Sequence, residues 1–148
     1  MAVDVSGFGT AITIISAPTI PQGYELTAFT DDIDVMEIPT MNVVDFSMGV
    51  NGDLILNRRP VPIEVTVGVI PNSDDDLILE GLLNANRVAK NKASVKDDIT
   101  MIIHYPDERG DVILSYGTIV GGDCFTTITS QGRLKSKQYH FVFEMRAD

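Results

Sequence analysis

Two histidines and one cysteine are the residues of this sequence with the most obvious chemical potential. His104 and His140 are metal-ligand types, but neither has a Cys, His or carboxylate at ligand spacing, and a zinc site needs three convergent protein ligands. Cys124 is a nucleophile type, and His104 with an Asp could meet it in space. It precedes Phe125 in a Thr-rich predicted strand, however, which favours a buried structural thiol. We therefore expect no metal, no cofactor and no catalytic residue, and keep an enzyme using Cys124 as an alternative.

Carboxylates also cluster, at Asp31-Asp32, at Asp74–Asp76 and at Asp97-Asp98. Neighbouring carboxylates can serve acid–base catalysis or bind Ca²⁺. Each of these groups lies at a predicted turn or helix start, where acidic residues are expected for local reasons. Asp74–Asp76 also lacks the glycine and the distal glutamate of a calcium-binding loop. Capping is therefore the better interpretation, and the function has to be sought in the architecture.

The charge of the chain is strongly acidic and unevenly distributed. Its formal net charge is −10, and residues 1–57 contain eight acidic residues but no Lys or Arg. This balance argues against a surface that grips nucleic acid. Two interpretations remain open, a solvated face that keeps the protein soluble and a surface that repels an anion.

The length of 148 residues predicts one domain, and the apolar fraction of 44% is enough to bury a core. A single cysteine excludes an internal disulfide and fits a reducing compartment. No secretory signal is evident, and no run approaches the roughly 20 apolar residues that span a bilayer. We expect a soluble protein made in a cytoplasm, without membrane association.

The clearest structural unit is a strand followed by a helix. Apolar residues alternate with other types from Val61 to Val69, the pattern of a half-buried strand. Ser73 and Asp76 then form an S-x-x-D capping box. The helix is predicted near residues 74–90, with one apolar stripe formed by Ile78, Leu82, Ala85 and Ala89, widened by Leu79, Leu83 and Val88.

Hairpins are predicted on both sides of this unit. Asn51-Gly52 is the strongest turn signal, within residues 41–57. We favour a three-residue loop, Asn51–Asp53, because it places all five apolar side chains on one face, namely Phe46, Met48, Val50, Leu54 and Leu56. The second hairpin joins alternating residues from Ile99 to Tyr105, through a turn at residues 106–110, with a strand marked by Val112, Leu114, Tyr116 and Val120.

Further strands are predicted near both ends of the chain. Short strands at Tyr24–Thr30 and Ile33–Ile38 precede the first hairpin, and a Thr-rich strand is expected over Phe125–Ser130. The last strand turns Tyr139, Phe141, Phe143 and Met145 to one face. The total is about eight strands, so the predicted fold is a mainly β, small barrel or sandwich with one flanking helix.

From about Tyr24 onward, the sequence resembles the tail-tube family of contractile-tailed bacteriophages, whose fold is shared with the tube protein of type VI secretion. Three blocks in this order carry the resemblance: MGVNGDLILN, PVPIEVTVGVIPNSDDDLILEGLLNANR and GRLKSKQYHFVFE. The resemblance implies a small β-barrel domain over residues 23–148. Residues 1–22 depart from the family: the glycines of SGFGT and the prolines of APTIP predict an extended N-terminal arm, with room for one strand at the β-branched run. In this family, subunits form six-membered rings through their hairpins, and the rings stack into a tube through which DNA leaves the capsid.

The resemblance also implies a site and partners. The expected assembly interface lies at the hairpin tip and comprises Met48, Gly49, Val50, Asn51, Gly52 and Asp53, and Asp45 and Asp53 are candidates for the lumen. The partners would be further copies of the chain and neighbouring tube, sheath or baseplate proteins, with DNA passing through without tight binding. The location would be the virion tail, assembled in the bacterial host cytoplasm.

Three alternatives to a main tube subunit remain open. The N-terminal arm leaves room for a specialised tube-like ring at the baseplate. A monomeric β-sandwich binding module is an alternative, and so is the tube component of a type VI-like secretion system.

Overall fold

Nine β-strands and one α-helix make up the described part of the chain, which is residues 6–106 and 110–147 of this computed structural model. The elements are β1 Ala11–Ala17, β2 Ile20–Leu26, β3 Met36–Glu37, β4 Val44–Met48, β5 Leu54–Arg58, β6 Ile63–Val69, α1 Asp74–Asn86, β7 Asp98–His104, β8 Asp111–Gly122 and β9 Lys137–Arg146.

Seven of the strands form one antiparallel sheet in the order β2-β1-β7-β8-β9-β6-β3. The sheet curls into a half-barrel because the chain leaves β2 at one edge and crosses to β6 near the other edge. Phe29 bridges Val69 there, and the Ile70 amide donates to the Ala28 carbonyl at 3.0 Å. The predicted mainly β fold with a single helix is thus confirmed.

The core lies inside this half-barrel and follows the predicted alternation closely. Every second residue of the central strands is buried, and α1 adds Leu79 and Leu82. The largest apolar contributions from the strands are Ile12, Ile14, Val65, Val67, Ile99, Met101, Ile103, Phe141 and Phe143. Apolar side chains at period 2 therefore decide which face of each central strand points inward.

The helix begins as predicted but ends four residues early. The Ser73 hydroxyl accepts a hydrogen bond from the Asp76 amide at 3.2 Å, which confirms the capping interaction. The helix ends at Asn86, whose side-chain amide donates to the Leu82 carbonyl at 2.9 Å. Val88 therefore lies outside the helix and is exposed, so the C-terminal part of the predicted stripe is wrong.

Residues 11–26 form two strands of the sheet rather than an extended arm. The strand β1 lies between β2 and β7, and its residues Ile12 and Ile14 belong to the core. The predicted boundary at residue 22 falls inside β2. Residues 11–22 are therefore part of the sheet, and the arm prediction is wrong for them because the run of β-branched residues completes the apolar pairing with β7.

The strands β2 and β3 differ from their predicted positions or lengths. The strand predicted over Tyr24–Thr30 starts earlier, at Ile20, and ends at Leu26 because the chain then crosses to β6. The strand predicted over Ile33–Ile38 is reduced to the two residues of β3.

A bulge in β8 changes which of its residues point inward. The pairing with β7 shifts between Ile99 and Met101, opposite Tyr116, which has φ 56°. An extra residue in one strand reverses the alternation beyond it. The predicted strand is observed, but Ile119 is consequently buried while Tyr116 and Val120 are exposed.

The segment after β8 also differs from expectation. Residues 125–130 do not form the predicted strand, and their sheet-like pairing is a single bridge between Ile128 and Leu134. Cys124 is exposed rather than buried. The Thr-rich composition favoured a strand, but the segment turns back on residues 133–135, where the Lys135 amide donates to the Thr127 carbonyl at 2.8 Å.

Candidate assembly surface

The strands β4 and β5 form a two-stranded sheet of their own, outside the seven-stranded sheet. Their tip is closed by the Gly49 amide, which donates to the Asp53 carbonyl at 2.8 Å, and by the Gly52 amide, which donates to the Gly49 carbonyl at 3.0 Å. Gly52 has φ 86°, a conformation that favours glycine. The predicted hairpin and the positive φ at its tip are confirmed.

The predicted three-residue loop, in contrast, is wrong. Five residues, from Gly49 to Asp53, connect the two strands, and the register pairs Phe46 with Leu56 and Met48 with Leu54. Val50 lies in the turn, because the Gly49–Asp53 hydrogen bond ends the ladder there. The register differs from the predicted one by two residues, so each remaining side chain keeps its predicted face.

The apolar side chains of this hairpin are uncovered. Phe46 is 76% exposed and Met48 is 68% exposed, and Leu54 and Leu56 beside them are also exposed. Ile55 is exposed on the opposite face. A lone two-stranded hairpin is only marginally stable in water, and contiguous exposed apolar side chains mark interaction sites. We call residues 44–58 the hairpin surface, and it is the candidate functional site.

The predicted interface residues fall together at the end of the hairpin surface. Met48 is the last residue of β4, and Gly49, Val50, Asn51, Gly52 and Asp53 form the connection to β5. Val50 is fully exposed. The sequence missed the middle of the hairpin surface, where Phe46 and Leu56 form a cross-strand apolar pair. The alternation of apolar residues that predicted the hairpin had already placed Phe46 and Leu56 on one face, so the sequence did contain a signal for this pair.

The two lumen candidates lie at different levels of the hairpin. Asp45 is near its base, where Arg59 Nε approaches Asp45 Oδ2 at 3.1 Å, and both side chains are exposed. Asp53 is at the tip and is exposed. The structure therefore does not bring the two carboxylates together. The surface ion pair at Asp45 contributes little stability.

Part of the acidic stretch has a structural role. The hydroxyls of Ser136 and Thr30 donate to Asp32 Oδ1 at 2.5 and 2.8 Å, and these hydrogen bonds lower the pKa of Asp32. Arg133 Nη2 lies 2.8 Å from Asp31 Oδ1, an interaction that raises the pKa of Arg133. This turn is thus tied to the segment before β9.

The residues considered for chemistry lie apart from one another. His104 contacts Thr13 and Asp111, each at 3.1 Å, whereas His140 contacts Thr66 at 2.8 Å. Cys124 is beyond the end of β8. Within residues 6–106 and 110–147, no three His, Cys, Asp or Glu side chains are grouped so as to hold a metal ion. In the same part of the chain, no helix is long and apolar enough to cross a membrane.

Sequence reasoning missed two buried carboxylates at the start of α1. Asp75 accepts hydrogen bonds from the amides of Thr27 and Ala28, at 2.7 and 2.6 Å, and from the Tyr24 hydroxyl at 2.9 Å. The hydrogen bond to Asp75 raises the pKa of Tyr24. Asp75 therefore fixes the segment that crosses from β2 to β6. Its spacing of four residues from Leu79 was the available signal that it faces inward.

The second missed carboxylate, Asp76, belongs to a buried charge pair. Lys137 Nζ lies 3.1 Å from Asp76 Oδ1, and both side chains are almost completely buried. The Tyr139 hydroxyl donates to the same carboxylate at 2.8 Å. Burial and this hydrogen bond raise the pKa of Tyr139. The alternation of β9, extended back two residues from Tyr139, would have placed Lys137 inside.

A family model described as tail fiber protein gp32 matches residues 3–147. The chain belongs to this family. No curated protein matches it. The match extends over the sheet, α1 and the hairpin surface.

Three solved structures share the fold at low sequence identity. A chain of the anti-feeding prophage baseplate matches with a TM-score of 0.59 and 11% identity, over 99% of this chain and 96% of the other. A chain of the cap that terminates the same particle's tube gives 0.51 and 11%, over 99% and 93%. A chain from the sheath/tube terminator of an extracellular contractile injection system, PVC, in the extended state, gives 0.53 and 9%, over 99% and 96%. Together with the family match, these folds confirm the resemblance to contractile-tail proteins.

Proposed function

We propose that the protein is a structural component of a phage tail that self-assembles into rings of the tail tube or of the tube-like part of the baseplate. The rings would be six-membered, by the family resemblance. The family is described as a tail fibre protein, and the three structural matches are chains of contractile particles. The protein would act in the virion tail, after assembly in the bacterial host cytoplasm.

The exposed hairpin surface is the single observation that carries this proposal. Phe46, Met48, Leu54 and Leu56 leave a contiguous apolar face in water, and the two strands have unpaired outer edges. Such edges promote aggregation in a monomer, whereas a closed ring pairs them. Assembly therefore gives these residues the burial that the single chain does not.

The acidic composition suits a conduit for DNA. A net charge of −10 repels the phosphate backbone, so DNA would pass through the ring without being held. The exposed side chains of Asp45 and Asp53 are candidates for the wall of this channel. Neighbouring tube, sheath or baseplate proteins would bind the outer and end surfaces of the ring.

Light scattering and negative-stain imaging of the purified protein test the proposal. We expect closed rings for the parent chain and monomers for the double variant Phe46→Ser with Met48→Ser. Both side chains are exposed in the monomer, so the variant should keep its circular dichroism spectrum and its unfolding midpoint. A parent protein that stays monomeric at high concentration would refute self-assembly and favour a monomeric binding module.

A further inference from the structure

The buried charge pair of Lys137 and Asp76 brings together the groups of an amide-forming reaction. Lys137 Nζ lies 3.1 Å from Asp76 Oδ1, and each of the two side chains is 1% exposed. Lys137 Nζ also lies 3.7 Å from Glu80 Oε2, on a side chain that is partly exposed. Asp76 and Glu80 are four residues apart in α1, so both carboxylates lie on the helix face that meets the lysine. An amine, a buried carboxyl group and a second carboxylate at its margin therefore meet at one place.

The lysine amine lacks the hydrogen bonds that a buried ammonium group needs. Although Asp76 Oδ1 is 3.1 Å away, Lys137 Nζ makes no well-aligned hydrogen bond to any residue that the structure describes. An ammonium group has three protons to donate, and burying it without acceptors is unfavourable. It also lies at the first turn of α1, which is the positive end of the helix dipole. Transfer of one proton within the pair removes both charges and leaves a neutral amine beside a carboxylic acid.

The carboxyl group of Asp76 is held by two fixed donors. The Tyr139 hydroxyl donates to Oδ1 at 2.8 Å, and the Asn72 amide donates to Oδ2 at 2.9 Å. Because burial and the hydrogen bond raise the pKa of Tyr139, its hydroxyl keeps its proton and remains a donor. A fixed donor at a carboxyl oxygen stabilises the negative charge that develops there when a nucleophile adds to the carbon. Tyr139 is thus placed to stabilise a tetrahedral intermediate at Asp76.

From this geometry we propose that Lys137 and Asp76 join through an amide bond in the folded chain, with Glu80 as the general base. Lys137 Nζ attacks Asp76 Cγ, and Glu80 takes a proton from Nζ. The Asp76 hydroxyl, at Oδ2, then leaves with that proton as water, while Oδ1 becomes the amide oxygen. One N–C bond forms and one C–O bond breaks, so the reaction needs no oxidant and no cofactor. It occurs once in each chain and turns over no substrate.

The fold favours this condensation in two ways. It holds the amine and the carboxyl group in contact, so the entropy cost of bringing them together is met by folding. The amide is also neutral and needs less solvation than two buried charges. The bond closes a loop between α1 and β9, and such a closure constrains the unfolded chain as a disulfide does. A chain with one cysteine can thus obtain an internal crosslink in a reducing compartment.

Mass spectrometry of the denatured full-length protein tests this bond. After incubation in the folded state, the parent should be lighter than its sequence by the mass of one water molecule. Lys137→Arg keeps the positive charge but removes the primary amine, so its mass should equal that of its sequence. Lys135→Arg, at an exposed position of the same segment, is the matched control and should lose water like the parent. Tryptic digestion of the parent should give a branched peptide that joins Asp76 to Lys137, with no cleavage after Lys137.

A second variant separates the reaction from folding. Glu80→Gln leaves the amine and Asp76 in place, and the Glu80 side chain is partly exposed, so the circular dichroism spectrum should match that of the parent. The rate of water loss should fall by about tenfold or more, because the general base is removed. Glu64→Gln, at an exposed position of β6, is the matched control and should react like the parent. An unchanged rate in Glu80→Gln would overturn the role of Glu80. A parent that keeps the mass of its sequence after prolonged incubation, or a branch point at other residues, would overturn the proposed bond.

Discussion

The sheet interior and the hairpin surface share one sequence pattern but have opposite environments. In β9, Tyr139, Phe141 and Phe143 alternate with other residues and are buried. In β4, Phe46 and Met48 alternate in the same way and are exposed. The alternating pattern indicates that these side chains become buried, but it does not indicate whether the same chain or another chain buries them. The hairpin surface thus has the apolar alternation of a core strand, although its side chains are exposed in the single molecule.

Substitutions in the two regions should separate folding from assembly. Phe141 is almost fully buried and packs beside Phe143, with ring centroids 6.3 Å apart, so Phe141→Ala should cost about 3 to 5 kcal/mol of unfolding free energy. Phe46→Ala should change it by about 0.5 kcal/mol or less, because the ring is exposed. Urea denaturation of the two variants measures this. A large loss of stability for Phe46→Ala would show that the hairpin packs on its own chain.

The first acidic residues of α1 provide a smaller test of the same difference between buried and exposed. Asp75→Ala leaves the amides of Thr27 and Ala28 without their acceptor and should cost about 2 to 3 kcal/mol. Asp74→Ala is the matched control, since Asp74 is exposed and contributes only through the helix dipole, by less than about 1 kcal/mol. Thermal unfolding of the two variants measures the difference in stability. Equal losses would contradict the assignment of Asp75 to the β2–β6 crossing.

The turn of the hairpin should affect assembly more than folding. Gly52 has φ 86°, so Gly52→Val should cost about 1 kcal/mol or more locally and disturb the register of β4 and β5. Gly132→Val, at a turn glycine with φ 81° outside the hairpin surface, is the matched control. We expect monomers of Gly52→Val that unfold almost like the parent but form rings poorly, measured by light scattering. Normal rings formed by Gly52→Val would mean that the hairpin tip lies outside the contact between copies.

How far the sequence determines these features depends on how local their causes are. The alternation of β6 and β9 and the Ser73 cap follow from neighbouring residues, and the structure confirms them. The burial of Lys137 depends on Asp76, which is distant in sequence. The bulge at Tyr116 is also a property of pairing with β7 rather than of local sequence. Long-range pairing accounts for these errors.

The site was predictable only in part for the same reason. Asn51-Gly52 marks the turn, but the Gly49–Asp53 hydrogen bond decides where the ladder ends. β1 shows a similar limit, since glycines and prolines around it suggested an arm, while its pairing with β7 places Ile12 in the core. Which copy or protein covers the hairpin surface depends on a second molecule, and one chain's sequence contains only half of that contact.

The smallest expected effect on folding belongs to the acids of the hairpin, Asp45 and Asp53. Both are exposed, and the Asp45–Arg59 pair is a surface ion pair, so replacing both acids by Lys should change the unfolding free energy by less than about 1 kcal/mol. If they line a channel, rings of the double variant should retain DNA, and added salt should release it as screening increases. Glu25→Lys with Asp111→Lys, on the seven-stranded sheet, keeps the same charge change away from the hairpin and should retain none. Filter binding of DNA across a salt series measures the difference, and particles carrying the variant should eject poorly. Equal DNA retention by the two double variants would place the acids of the hairpin outside the lumen, while the apolar hairpin surface would remain the candidate contact between copies.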